Sequence, residues 1–95
     1  MKVRYTLRAR ADLEAIYLFL DERNPSAARS VKSFIDQRIA WLADFPFVAP
    51  ATDELGIFEL TITRYPYKVY YEIEGDEVWI VHVRHAARSH WKESR

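Results

Sequence analysis

The strongest constraint on this chain is the alternation running through its last third. Tyr67, Val69, Tyr71 and Ile73 fall on one face, and Lys68, Tyr70, Glu72 and Glu74 on the other. Period two in β-branched and aromatic residues predicts a half-buried strand. Glu74-Gly75-Asp76-Glu77 then breaks the pattern with a Gly-centred turn suited to a tight hairpin. A strand over Val78 to Arg84 follows, with Trp79 alternating beside Val81 and Val83. An earlier strand over Ile57 to Thr63 ends at Arg64-Tyr65-Pro66. Pro66 cannot donate to a ladder, so it belongs at the first residue of a strand or on an edge. Three antiparallel strands in succession need a covering layer, and the upstream sequence must supply it.

That layer reads as two helices. Val3 to Thr6 forms a short first strand, after which Thr6 can cap a helix with Leu7 just inside. Leu13, Ile16, Tyr17 and Leu20 recur at helical spacing, and Asp12 and Glu14 sit where they favour the helix dipole. The helix stops near Arg23. Asn24 with Pro25 is a cap followed by a proline at the first helical position, and a second helix runs to about Ala43. Its apolar positions are Val31, Phe34, Ile35, Ile39 and Leu42. So short a connection makes an antiparallel helical hairpin. The order β-α-α-β-β-β defines an α+β fold: a helical hairpin packed on a mostly antiparallel four-stranded sheet, one domain over residues 1–95.

Composition narrows the function classes. The 95 residues contain no cysteine, which removes disulfides and thiolate metal sites, and only two glycines, standing too far apart for a phosphate loop. None of the serines sits in a nucleophile-elbow pattern. His82 and His85, three apart at a strand end, point to opposite faces and make a poor chelating pair, so neither a metal nor a cofactor is expected. With no long apolar run and no leader-like start, the expected setting is the cytoplasm, with no membrane partner.

Net charge is zero, but its distribution is uneven. Residues 1–11 carry Lys2, Arg4, Arg8 and Arg10 with no acid. Residues 82–95 carry Arg84, Arg88, Lys92, Arg95 and all three histidines against Glu93 alone. If the two ends meet, they form a positive patch; solvated termini are the plainer explanation. Lys68, Tyr70, His82 and Arg84 could share the face opposite the helices, with Arg64 in the adjacent turn. Such a face could hold a phosphate backbone, or cleave RNA with His82 or His85 as acid or base and Arg64, Arg84 or Arg88 as the cation. Against that, Glu59, Glu72 and Glu74 dilute the field, and His85 could instead plug the sheet end, with Arg88 paired to an acid such as Asp12. Trp91 could anchor the tail or join a binding surface. Leu18, Phe19 and Trp41 lie beside the core stripes, as packing residues or as anchors for a partner.

Three stretches together, RARADLEAIYLFL with ERNPSAA, LADFP, and PYKVYYEIEGDEVWIVHVRHAAR, resemble the RelE/ParE family of bacterial toxins over almost the whole chain. The matching residues are Asp12, Leu13, Pro66, Tyr67, Tyr71, His85 and Arg88. The resemblance implies the toxin of a type II toxin–antitoxin (plasmid stabilisation) module, held by a cognate antitoxin. Leu18, Phe19, Trp41 and an exposed sheet edge are the expected antitoxin contacts. Within the family, RelE-like members are ribosome-dependent mRNA endonucleases and ParE-like members inhibit DNA gyrase. This chain resembles the second branch: it has no tyrosine after Tyr71, and Phe58 stands where many relatives place a basic residue. On that branch Lys68, Tyr70, Arg84, Arg88 and Trp91 would meet the target. On the other, the ribosome and its mRNA are the partners, and Arg64, His82, Arg84, His85 and Arg88 are the candidate catalysts.

Overall fold

The computed structural model of the chain describes residues 1–87. Its elements are β1 (Lys2–Tyr5), α1 (Leu7–Arg23), α2 (Pro25–Trp41), β2 (Phe58–Ile62), β3 (Tyr67–Glu74) and β4 (Glu77–His85). The sheet order is β1-β4-β3-β2, with β1 parallel to β4 and the other pairs antiparallel. This is the α+β arrangement expected from the sequence.

Local chemistry sets the boundaries. β1 ends at Tyr5, one residue early, because Thr6 caps α1: its Oγ1 accepts from the Ala9 N–H at 3.1 Å. The same hydroxyl shares its proton between the carbonyls of Ile80 and Val81, at 3.2 and 3.3 Å, and so ties the helix start to β4. Asn24 serves both helices. Its N–H donates to the Leu20 carbonyl at 2.7 Å, closing α1, and its Oδ1 accepts from Ala27 N–H at 3.1 Å, opening α2. Asn24→Ala should therefore cost about 1 kcal/mol, seen as a melting temperature lower by roughly 4–8 °C for a chain of this size. An unchanged melt would remove the cap from the account.

Sequence periodicity extends α2 to Ala43, but the helix ends at Trp41. Leu42, Ala43 and Asp44 bond back to Ile39, Ala40 and Trp41, the tightened i to i−3 pattern of a closing turn. β2 is shorter than expected. Its outer edge is half covered by the preceding loop: Ala51 bridges Phe58, and Glu59 N–H donates to the Pro50 carbonyl at 3.0 Å.

Both helices cover one face of the sheet. Ala9, Leu13, Val31, Ile35, Ile39 and Leu42 pack there against Leu60, Ile62, Val69, Tyr71, Val78, Ile80 and Val83. Strict alternation puts Trp79, Val81 and Val83 on one face, which the structure corrects. The β3–β4 register jumps from Tyr70–His82 to Tyr71–Ile80, leaving Val81 as an extra residue. This β-bulge returns Val83 to the helix-side core and leaves Val81 against Tyr70 and Ile57 on the other side. No helix among the described residues is long and apolar enough to cross a membrane.

Candidate functional site

The open face of the sheet is a linked polar network. Lys68 and Arg84 stand opposite each other in register, as do Tyr70 and His82. The expected grouping of these four residues is therefore present, but its charges are held. Lys68 Nζ donates to Glu59 Oε2 at 2.8 Å. Arg84 Nε donates to the Tyr70 hydroxyl at 3.0 Å, and its Nη1 donates to the carbonyls of His85 and Ala86. Tyr70 has no exposed surface, and its ring stacks on His82 with centroids 5.7 Å apart. It offers nothing for a target to touch.

His82 is only 6% exposed and lies on the part of β4 beyond its pairing with β1. α1 runs along the edge there. Asp12 Oδ2 lies 2.7 Å from His82 Nδ1 and accepts from the Val83 N–H at 3.1 Å. A carboxylate oxygen can only accept, so Nδ1 carries the proton. Asp12 lies beyond the first turn of α1, which contains no acid. Its described contacts close the sheet edge and fix the histidine rather than complement the dipole of α1; the pairing expected with Arg88 falls outside the described residues.

Glu59 carries a pH signature. Burial pushes its carboxyl up, but the hydrogen bonds from Lys68 and Tyr70 and the charges of Lys68 and Arg84 outweigh that and hold it below the ordinary 4.5. A lowered folded-state value gives stability that is fully present above the unfolded value and lost as pH falls through the folded one. Melting temperature should therefore decline below pH 4.5, and Glu59→Gln should flatten that acid limb. An equal decline in the variant would assign the acid sensitivity to other groups.

The other candidates are dispersed. His85 is on the helix side, edge-on to Tyr67 at 5.4 Å, and its Nδ1 accepts from the Ala87 N–H. Arg64 lies in the β2–β3 turn over the rings of Phe34 and Tyr65. Arg88 and Trp91 lie outside the described residues. β1 pairs with Glu77–Ile80 of β4, ahead of the basic run that starts at residue 82, and Arg4 donates to Glu77 Oε2 at 2.7 Å, so that cation is neutralised; most of the basic run lies outside the described residues. Among the described residues no cluster of His, Asp and Glu could hold a metal ion.

A second surface lies between the helices. An open groove has Leu13, Tyr17 and Ala28 at its base, Tyr5 at one end and Leu18 on its rim. Leu18 is 61% exposed. The Tyr17 hydroxyl is buried there with no hydrogen-bond partner among the described residues; burial pushes its ionisation up, with Asp36 adding to the effect. Phe19 stands outside the groove, covered by the Arg23 guanidinium 3.6 Å from its ring. Trp41 belongs to the far end of α2, packed on Phe45 under Arg38. The three residues expected to bind one partner thus occupy three places. The sequence reading also missed Phe45, Phe47 and Val48, which are exposed, Phe45 against Trp41 and Phe47 against Phe58; apolar side chains in a loop around Pro46 were the available signal.

The family described as "ParE toxin of type II toxin-antitoxin system, parDE" matches residues 3–90. No curated protein matches. Among solved structures, the chain is similar to one of a chromosomal ParDE toxin–antitoxin system from P. aeruginosa. The TM-score is 0.79 at 24% identity, over 90% of this chain and 95% of the other. The isolated E. coli RelE toxin shares the fold at a TM-score of 0.63 and 11% identity, over 98% of this chain and 92% of that one.

Proposed function

The chain belongs to the ParE toxin family of type II toxin–antitoxin systems, and we propose that it poisons DNA gyrase by docking on it, with no chemistry of its own. Membership implies a cognate antitoxin. The observation that carries the reading is the state of the open sheet face. RNA cleavage needs a base for the ribose 2′-OH and cations poised for the phosphorane charge. Here Lys68 is held by Glu59, Arg84 by Tyr70 and two carbonyls, and His82 is buried against Asp12. Reaching RNA would require breaking these contacts first.

We read the groove between the helices as the antitoxin's seat; the exposure of Leu18 beside buried Leu13 and Ala28 supports this. Leu18→Glu would then weaken antitoxin binding, while Trp41→Glu, at the other end of the hairpin, would not.

The deciding experiment sets the purified chain, free of antitoxin, against two substrates. Inhibited supercoiling with trapped gyrase cleavage complexes and intact mRNA supports the proposal. Codon-positioned cuts of mRNA in a translating extract, with gyrase unaffected, would overturn it in favour of a RelE-like endonuclease.

A further inference from the structure

α1 is apolar on two opposite faces. Ala9, Leu13, Ile16 and Leu20 pack into the core. Leu7, Ala11, Ala15 and Leu18 recur at helical spacing about half a turn away, on the side facing solvent. Leu7 is 86% and Leu18 61% exposed, and both alanines are exposed. Phe19, at the margin of this row, is already covered by Arg23, and Glu22, one turn beyond Leu18, ends it. The row is not the groove between the helices, since Leu7, Ala11 and Ala15 take no part in lining that. A single exposed leucine is ordinary. Two leucines bracketing two alanines along about 16 Å of one helix make an unpartnered apolar face, and neither Leu7 nor Leu18 belongs to the core.

The order large, small, small, large is close to a palindrome, and that selects the occupant, because a two-fold interface must be its own complement. We infer that α1 packs antiparallel on α1 of a second copy of this chain, about a two-fold axis level with Asp12 and Leu13. Leu7 of each copy then lies on Leu18 of the other, and Ala11 on Ala15. The alanines let the helix axes approach to about 8 Å, the close end of the usual range, and the leucines close the two ends. Charge agrees with this register: Arg10 of each copy comes level with Glu14 of the other, and neither has an ion pair among the described residues. A parallel pair would instead set Arg10 on Arg10, which like-charge repulsion disfavours. Three turns of one helix bury less than the roughly 800 Å² per partner of a standard stable interface, so the dimer is weak, with a Kd on the order of 10 μM.

The test is sedimentation equilibrium of the full chain, free of antitoxin, from about 1 to about 500 μM. A reversible monomer–dimer equilibrium is expected. Leu7→Glu and Ala15→Glu should each weaken it roughly tenfold or more, because each sets a carboxylate in the apolar row twice per dimer. An acid at the first position of α1 favours the helix dipole, so Leu7→Glu keeps the fold even where Ala15→Glu disturbs it; circular dichroism verifies both. The chain contains no cysteine, so cross-linking reads the register. Ala11→Cys mixed with Ala15→Cys should oxidise to a disulfide dimer several-fold faster than either variant alone, since that pairing brings the Cα atoms within about 7 Å. A chain that stays monomeric throughout overturns the inference, and if the row variants then lose antitoxin or gyrase binding, the face belongs to that partner. A dimer that Leu7→Glu and Ala15→Glu both leave intact also overturns it and moves the contact elsewhere, such as the exposed Phe45, Phe47 and Val48. Faster cross-linking of Ala11→Cys with itself would overturn the antiparallel register.

Discussion

Asp12→Ala should destabilise the protein by about 3 kcal/mol, since it leaves two donors at a closed sheet edge without their acceptor. Asp12 Oδ2 takes both His82 Nδ1–H and the Val83 N–H. His82 and Val83 are buried, so water cannot readily replace the carboxylate. An unsatisfied buried donor costs roughly 1–3 kcal/mol, more for a bond to a charged group. Against a total stability of about 5–15 kcal/mol this is a large fraction, and the melting temperature should fall by roughly 12 °C or more. Asp12→Asn keeps one carbonyl oxygen as acceptor and should lose about half as much. Thermal and urea melts of the two variants decide the matter. A loss under about 1 kcal/mol for Asp12→Ala would mean the edge rearranges to satisfy itself.

The same residue shows where sequence reasoning stops. The helix starts were legible because caps are local: Thr6 and Asn24-Pro25 announce themselves within four residues. The sheet was legible because period two needs only a few residues of pattern. Asp12 read as a dipole partner because its true contacts lie 70 and 71 residues away, and no local rule links a helix carboxylate to a distant strand edge. The bulge at Val81 failed for a related reason. Val78 to Arg84 alternates well enough in sequence that only the pairing with β3 reveals the extra residue. On the open face, residue types found the right neighbours, Lys68, Tyr70, His82 and Arg84, but not their state. That Glu59 neutralises Lys68 and that Tyr70 is sealed under the network depends on cross-strand register. The antitoxin candidates scattered because exposure was inferred one residue at a time, whereas a groove is a property of two helices.

Tyr71→Ala should be the most damaging single change, at about 3–5 kcal/mol, the range for removing a large aromatic ring from a core. Tyr71 has no exposed surface, and its ring stacks on Phe58 with centroids 5.3 Å apart and planes 20° from parallel. Its hydroxyl donates to the Pro46 carbonyl at 2.8 Å. One residue therefore fills the core between sheet and helices and also pins the loop leaving α2. Tyr71→Phe separates the two roles: the ring stays, the bond goes, and the global loss should be about 1 kcal/mol. Its local effect should be larger. The loop holds the outer edge of β2 through Glu59 N–H to Pro50 and Thr52 N–H to Ile57. Amide exchange at Glu59 and Thr52 should accelerate in Tyr71→Phe by more than exchange at Val78 and Ile80 in the sheet centre, since a loosened loop opens without global unfolding. Uniform acceleration would place the hydroxyl's contribution in the core as a whole. Unchanged exchange at Glu59 and Thr52 would show the loop held by its own backbone bonds and by the Phe47–Phe58 contact, with ring centroids 6.2 Å apart.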